Sequence, residues 1–229
     1  MTAAATETPL AFPVDETQSV SGLWTAPDAP RAAFVFAHGA GAGMAHAFMA
    51  AFAHGLAARG IATLRYQFPY MERGSKRVDS PALAQATVRA AVEAAARLAP
   101  GLPLLAGGKS FGGRMSSQAQ AKSPLPGVRG LVFVGFPLHP AKKPATERGD
   151  HLAQVRCPML FLQGTRDELA ELPLVTSLVQ ELGDRATLAV FDDADHSFHV
   201  RASSGRTDAQ VREAMLDAVE RWTHQKALV

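Results

Sequence analysis

The sequence predicts an α/β fold, a mostly parallel sheet with helices on both faces. Three observations predict it. From residue 32 onward, short apolar runs alternate with longer stretches of helical period. Those runs are apolar at nearly every position, as strands covered on both faces must be. The chain has 229 residues, 47% of them hydrophobic and 19% charged, as expected of one soluble globular domain over residues 1–229. Such a chain buries roughly three quarters of its unfolded surface and needs no disulfide or metal to hold a core.

The elements follow in order. Residues 1–9 are read as a flexible end and not as a signal peptide, because no basic cluster precedes an apolar block. Segment 10–24 is read as one or two hairpin strands at a sheet edge. Ala32–Ala37 is a strand bounded by turn residues. Met44–Arg59 spaces Phe48, Phe52 and Leu56 four apart, which predicts a helix stopped by Gly60. Ile61–Tyr66 is the next strand. Ser80-Pro81 opens a helix, with serine at the N-cap and proline at the first position. Leu83, Ala86, Ala90, Ala94 and Leu98 form its predicted inner face, and Pro100-Gly101 ends it. Pro103–Gly107 is a strand that enters a glycine-rich turn, followed by a helix near 111–121. Leu131–Phe136 and Met159–Gln163 are strands. A helix near 171–182 stops at Gly183, and Ala186–Phe191 is the last strand. Thr207-x-x-Gln210 reads as a capping box, and Val211, Met215, Ala218 and Trp222 form the buried stripe of a final helix. Only about twenty residues separate Phe136 from Cys157, too few for a separate lid domain.

Composition excludes several classes. The single cysteine, Cys157, allows no intrachain disulfide and no cysteine-rich zinc site. It fits a reducing, cytoplasmic setting. A net charge of +2 gives no basis for a nucleic-acid or membrane-surface partner. No apolar run reaches the roughly 18 residues of a membrane span. Nothing in the sequence sets an oligomeric state.

Ligands of open parallel sheets bind at the carboxyl ends of strands, so the residues there carry the chemistry. Gly108-Lys109-Ser110-Phe111-Gly112 matches G-x-S-x-G between a strand and a helix, the context a nucleophile elbow requires. Serine is a poor nucleophile at neutral pH and needs a base with an orienting carboxylate. The expected chain order is Ser, Asp, His. Asp167 follows one strand and His196 follows the last. Asp167 competes with Glu168, Asp192, Asp193 and Asp195, and could instead cap the next helix. His196 competes with His199 and is favoured as the earlier after its strand. The amide of Phe111 is the expected oxyanion donor, joined by that of Ala40 in the His38–Gly43 loop. His38 is read as a brace for that loop. Two rival motifs fail by position. A phosphate loop wants glycine at 103, which is proline, and a dinucleotide fingerprint wants glycine at 44, which is methionine.

Four segments together resemble a known family: His38-Gly39-Ala40-Gly41, Gly107-Gly108-Lys109-Ser110-Phe111-Gly112-Gly113-Arg114, Gln163-Gly164-Thr165-Arg166-Asp167 and Ala194-Asp195-His196-Ser197-Phe198. They resemble the small serine α/β-hydrolases related to dienelactone hydrolase. With Arg65-Tyr66-Gln67-Phe68-Pro69-Tyr70-Met71-Glu72, the chain is most similar to the branch of testis-expressed protein 30 and the hydrolase-like domain of subunit 3 of the nonspecific-lethal acetyltransferase complex. The resemblance implies an α/β-hydrolase fold and a triad of Ser110, Asp167 and His196. Dienelactone hydrolase itself uses a cysteine nucleophile where this chain has Ser110, so its substrate is not implied.

The expected activity is that of a serine hydrolase cleaving a small-molecule ester, thioester or amide, with no metal or organic cofactor. The alternative is a hydrolase-fold interaction module with weak or lost catalysis, motivated by the resemblance to a complex subunit. Arg65, Arg73, Lys76, Arg77, Lys142, Lys143 and Arg148 suggest an anionic substrate if they rim the pocket.

Overall fold

Period-two patterning builds the layers. All six residues of β3 (Ala32–Ala37) are buried, and alternate side chains enter opposite cores. Ala33, Val35 and Ala37 face one core, and Phe34 and Phe36 face the other. The computed structural model describes residues 5–228. Its other strands are β1 (Thr6–Pro13), β2 (Ser19–Ala26), β4 (Ile61–Tyr66), β5 (Leu104–Lys109), β6 (Val128–Val134), β7 (Met159–Gly164) and β8 (Ala186–Phe191). They form one sheet in the order β1-β2-β4-β3-β5-β6-β7-β8. The β1–β2 and β2–β4 pairings are antiparallel, and the rest are parallel.

Helices cover both faces. α1 (Ala47–Ala57) and α6 (Asp208–Lys226) pack over Phe34 and Phe36, contributing Phe52, Leu56, Met215 and Trp222. α3 (Pro81–Leu98), α4 (Phe111–Lys122) and α5 (Leu172–Leu182) cover the opposite face, while the four-residue α2 (Pro69–Glu72) follows β4. The expected helix starts are present. The Ser80 hydroxyl accepts from the Leu83 amide, and Thr207 and Gln210 form a reciprocal capping box.

Three expectations need correction. The end read as flexible over 1–9 is strand from Thr6 onward; residues 1–4 lie outside the described residues. The ladder with β2 runs from Thr6↔Ala26 to Pro13↔Ser19, and the Glu7 carboxylate pairs with Arg65 of β4. The inner face of α3 is also rotated from the expected one. Ala90 and Ala94 of the expected stripe are buried, together with Ala84, Thr87, Val88, Ala91, Val92 and Ala95, whereas Ala86 is exposed and Leu98 is 40% exposed. An alanine-rich helix is apolar on most sides, so its period marks the face weakly. The two valines choose it, and Thr87 joins them because its hydroxyl donates to the Leu83 carbonyl. Finally, β6 begins three residues before the expected Leu131, at Val128, and stops at Val134. Gly135 turns the chain out of the sheet at φ 69°. The link from Gly135 to Pro158 carries a 3-10 helix, Glu147–Gln154, packed on α4. It forms no separate lid.

Candidate active site

From β3 the chain crosses to β4 on one side, and β5 pairs with β3 on the other. Loops leaving the carboxyl ends of β3 and β5 therefore diverge and leave a crevice. The His38–Gly43 loop and the turn at Ser110 meet there.

Ser110 sits at φ 48°, ψ −114°, a conformation a non-glycine residue rarely adopts. Packing and hydrogen bonds hold it. Its amide donates to the Val134 carbonyl at 3.1 Å, and its carbonyl accepts from the Arg114 amide at 3.1 Å. The turn tolerates no side chain two residues away on either side. A Cβ on Gly108 would lie 2.2 Å from the Ala37 oxygen, and one on Gly112 would lie 2.6 Å from the oxygens of Ala37 and His38. The elbow is thus pressed against the end of β3, with α4 starting at the next residue.

The structure brings the three expected side chains together. His196 Nε2 lies 2.8 Å from Ser110 Oγ, and His196 Nδ1 lies 2.8 Å from Asp167 Oδ2. The network assigns the tautomer: Nδ1–H donates to the carboxylate, and Nε2 accepts the serine proton. Asp167 is buried, and its Oδ1 accepts from the Leu169 amide at 2.8 Å. It does not cap the next helix, because α5 starts at Leu172 with Glu171 at the N-cap. The imidazole packs over Gly135, where a Cβ would come within 3.4 Å of the ring. Glu168 is exposed, and three of the other competing residues are engaged elsewhere. Asp193 pairs with Arg201 and Arg166, Asp195 accepts from the amides of Ser197 and His199, and His199 pairs with Asp208. Asp192 is exposed at the surface.

The β3 loop is braced from below. His38 is buried, its Nδ1–H donates to the Gly39 carbonyl at 2.8 Å, and its Nε2 accepts from the Phe68 amide at 3.0 Å. Burial pushes its pKa down. The Tyr70 hydroxyl also donates to Gly39 O, at 3.4 Å. In a trans peptide, C=O and N–H point opposite ways, so anchoring the Gly39 oxygen turns the Ala40 N–H away from His38 and Tyr70. Among the described residues that amide meets no protein acceptor. The Phe111 amide heads α4 and has no intrahelical acceptor.

Two loop braces escaped the sequence reading. Gln67 Oε1 accepts from the Met44 amide at 2.9 Å, and Arg65 Nη1 donates to the Met44 carbonyl at 3.0 Å. Their only sequence signal is position, just at and past the end of β4. Arg65 is also buried, so it cannot rim a pocket. Arg73 is paired with Asp79 at 2.7 Å. Of the cations suggested as a rim, Lys142 borders a depression beside Asp167.

A model of the family described as alpha/beta hydrolase domain matches residues 30–224. The chain belongs to this family. Solved α/β-hydrolase structures share its architecture. A dienelactone hydrolase from Anabaena variabilis superposes with a TM-score of 0.78 at 20% identity, covering 98% of this chain and 99% of that one. An α/β serine hydrolase without lid from Xanthomonas campestris gives 0.73 at 22%, covering 94% of each chain. An α/β serine hydrolase homologue from Coxiella burnetii gives 0.74 at 21%, covering 96% of this chain and 98% of that one. At such identities these likenesses show the α/β-hydrolase fold. In this α/β-hydrolase domain, a depression of about 340 Å³ adjoins the imidazole, lined by Ala141, Arg166, Glu168, Leu169, Asp195 and His196. Among the described residues, no three His, Cys, Asp or Glu side chains cluster to hold a metal, and no helix is long and apolar enough to cross a membrane.

Proposed function

We propose that the protein is a serine hydrolase acting on small-molecule acyl esters, with Ser110, His196 and Asp167 as its triad. One observation carries the reading: a single imidazole bridges the Ser110 hydroxyl and a buried carboxylate at 2.8 Å on each side. His196 Nε2 takes the proton as Ser110 Oγ attacks the carbonyl carbon. Asp167 holds the ring in its working tautomer and stabilises the cation that forms. The amides of Phe111 and Ala40 receive the negative oxygen, and loss of one such donor raises a barrier by about 3–4 kcal/mol. His196 returns the proton to the leaving group. It then activates water against the acyl-enzyme.

A strained serine facing an imidazole favours this reading over a non-catalytic interaction module, because strain of about 1–3 kcal/mol persists where it serves a function. Within the family, the Arg65–Glu72 segment supports the branch of testis-expressed protein 30 and the nonspecific-lethal complex subunit 3 domain, and Arg65 and Gln67 of that segment brace the β3 loop. A reducing, cytoplasmic setting suits Cys157, whose pKa burial pushes up to about 11.

The test is a panel of p-nitrophenyl esters of rising chain length, an acyl thioester and an anilide, run with wild type and Ser110→Ala. Turnover of a short ester that disappears in Ser110→Ala supports the proposal. Equal turnover by both proteins removes Ser110 from it.

A further inference from the structure

We propose that Lys109, the residue before the candidate nucleophile, is a positioning residue that clamps the His196 loop onto the elbow through its ammonium group. The inference rests on the serine-hydrolase reading. It assigns Lys109 no contact with substrate.

The geometry joins three segments. Lys109 Nζ donates to the backbone carbonyl of His196 at 2.7 Å. The same nitrogen lies 5.4 Å from the Phe48 ring of α1 and 5.3 Å from the Phe198 ring, two residues past the histidine. The two rings are near-parallel, with centroids 6.4 Å apart, so the ammonium caps the gap between them. Its stem runs past the β3 loop, where a Cβ on Gly39 would lie 3.6 Å from Lys109 Cγ. The link thus ties the β5 turn, the start of α1 and the loop after β8 at one point.

The His196 loop has its own internal bonds and still lacks this one. Asp195 Oδ1 accepts from the amides of Ser197 and His199, and Phe198 N–H donates to Asp195 O. Phe198 itself is held at φ 63°. These bonds close the loop on itself. Among the described residues, Lys109 is the donor found for the His196 carbonyl and ties the loop to the serine's own turn. An error of about 1 Å in a reacting group can cost on the order of 100-fold in rate, so a tie at this place acts on kcat.

The ammonium is largely enclosed. Burial lowers its pKa to about 8, against the pull of Asp167 and Asp195. Asp167 after β7 and Asp195 after β8 are the charged groups that act on it, while α1 presents the Phe48 ring. A neutral amine keeps the N–H donor but loses its attraction to both rings. The clamp therefore weakens as pH rises through about 8.

The test compares wild type, Lys109→Met and Lys109→Arg on p-nitrophenyl butyrate from pH 6 to 10, with melting temperatures alongside. Fluorophosphonate labelling of Ser110 in wild type reports the underlying reading separately. The expected result for Lys109→Met is a kcat about 10- to 100-fold lower with KM within twofold. Lys109→Arg, which keeps a cation at every pH, recovers most of the rate and lacks a fall in kcat that wild type shows above about pH 8. A folded Lys109→Met with wild-type kcat overturns the inference while leaving Ser110 labelling intact. If Lys109→Met does not fold, the wild-type and Lys109→Arg profiles decide: the same alkaline behaviour in both overturns it.

Discussion

At the scale of the residue, the candidate site sets Ser110 at a positive φ and hydrogen-bonds one imidazole to both its hydroxyl and a buried carboxylate. Replacing Asp167 by Asn keeps the shape but releases Nδ1–H from its anion, so the ring no longer presents Nε2 reliably as acceptor. The expected fall in kcat for Asp167→Asn is on the order of 10⁴-fold, read on a short p-nitrophenyl ester. A loss below tenfold would remove Asp167 from the relay. Gly112 is tested differently, by stability, because its added Cβ would meet backbone oxygens 2.6 Å away. Gly112→Ala is expected to lower unfolding free energy by about 1–3 kcal/mol in urea titration. The meeting of Ser110, Asp167 and His196 was legible in the sequence because each follows a strand, in that order. Arg65 and Gln67 were not legible as braces. Their contact with Met44 exists only because β3 and β4 lie side by side, a pairing no local pattern encodes.

At the scale of the element, patterns with one clear face were readable and patterns with several were not. α6 buries Val211, Met215, Ala218 and Trp222 as its spacing predicts. α3 follows its expected stripe only at Ala90 and Ala94, since alanines offer too little contrast and Val88 and Val92 decide its rotation. This difference is measurable. Val88→Ala removes two buried methyl groups and is expected to cost about 2 kcal/mol. Leu98→Ala, at an exposed position, is expected to change stability by less than about 0.5 kcal/mol. The reverse ranking in urea titrations would restore the face read from sequence. The edge hairpin read over 10–24 is present, and only the first half of β1 was hidden, for another reason. Its outward residues are exposed, and its place is fixed by a ladder to β2 and by Glu7 meeting buried Arg65.

At the scale of the whole molecule, the order of strands makes the site. β3 lies between β4 and β5, so the loops that hold Ala40 and Ser110 part over the sheet's centre, and β7 and β8 deliver Asp167 and His196 to the same end. Global stability also carries a pH signature. Burial lowers the pKa of His38, and burial followed by the nearby Arg114 lowers that of His151 to about 4. Unfolding restores ordinary imidazoles near 6.5, so below that pH the unfolded chain binds more protons than the native one. Stability is therefore expected to fall as pH drops from 6.5 toward about 4. His151→Gln is expected to show a shallower fall in urea midpoint over that window, and an unchanged slope would contradict the assignment. The most direct test of the account is intact-protein and peptide mass spectrometry after reaction with a fluorophosphonate. The expected result is one adduct on Ser110 in wild type, none in Ser110→Ala and greatly slowed addition in His196→Ala. An unlabelled, folded wild type, or an adduct that survives in Ser110→Ala, contradicts it.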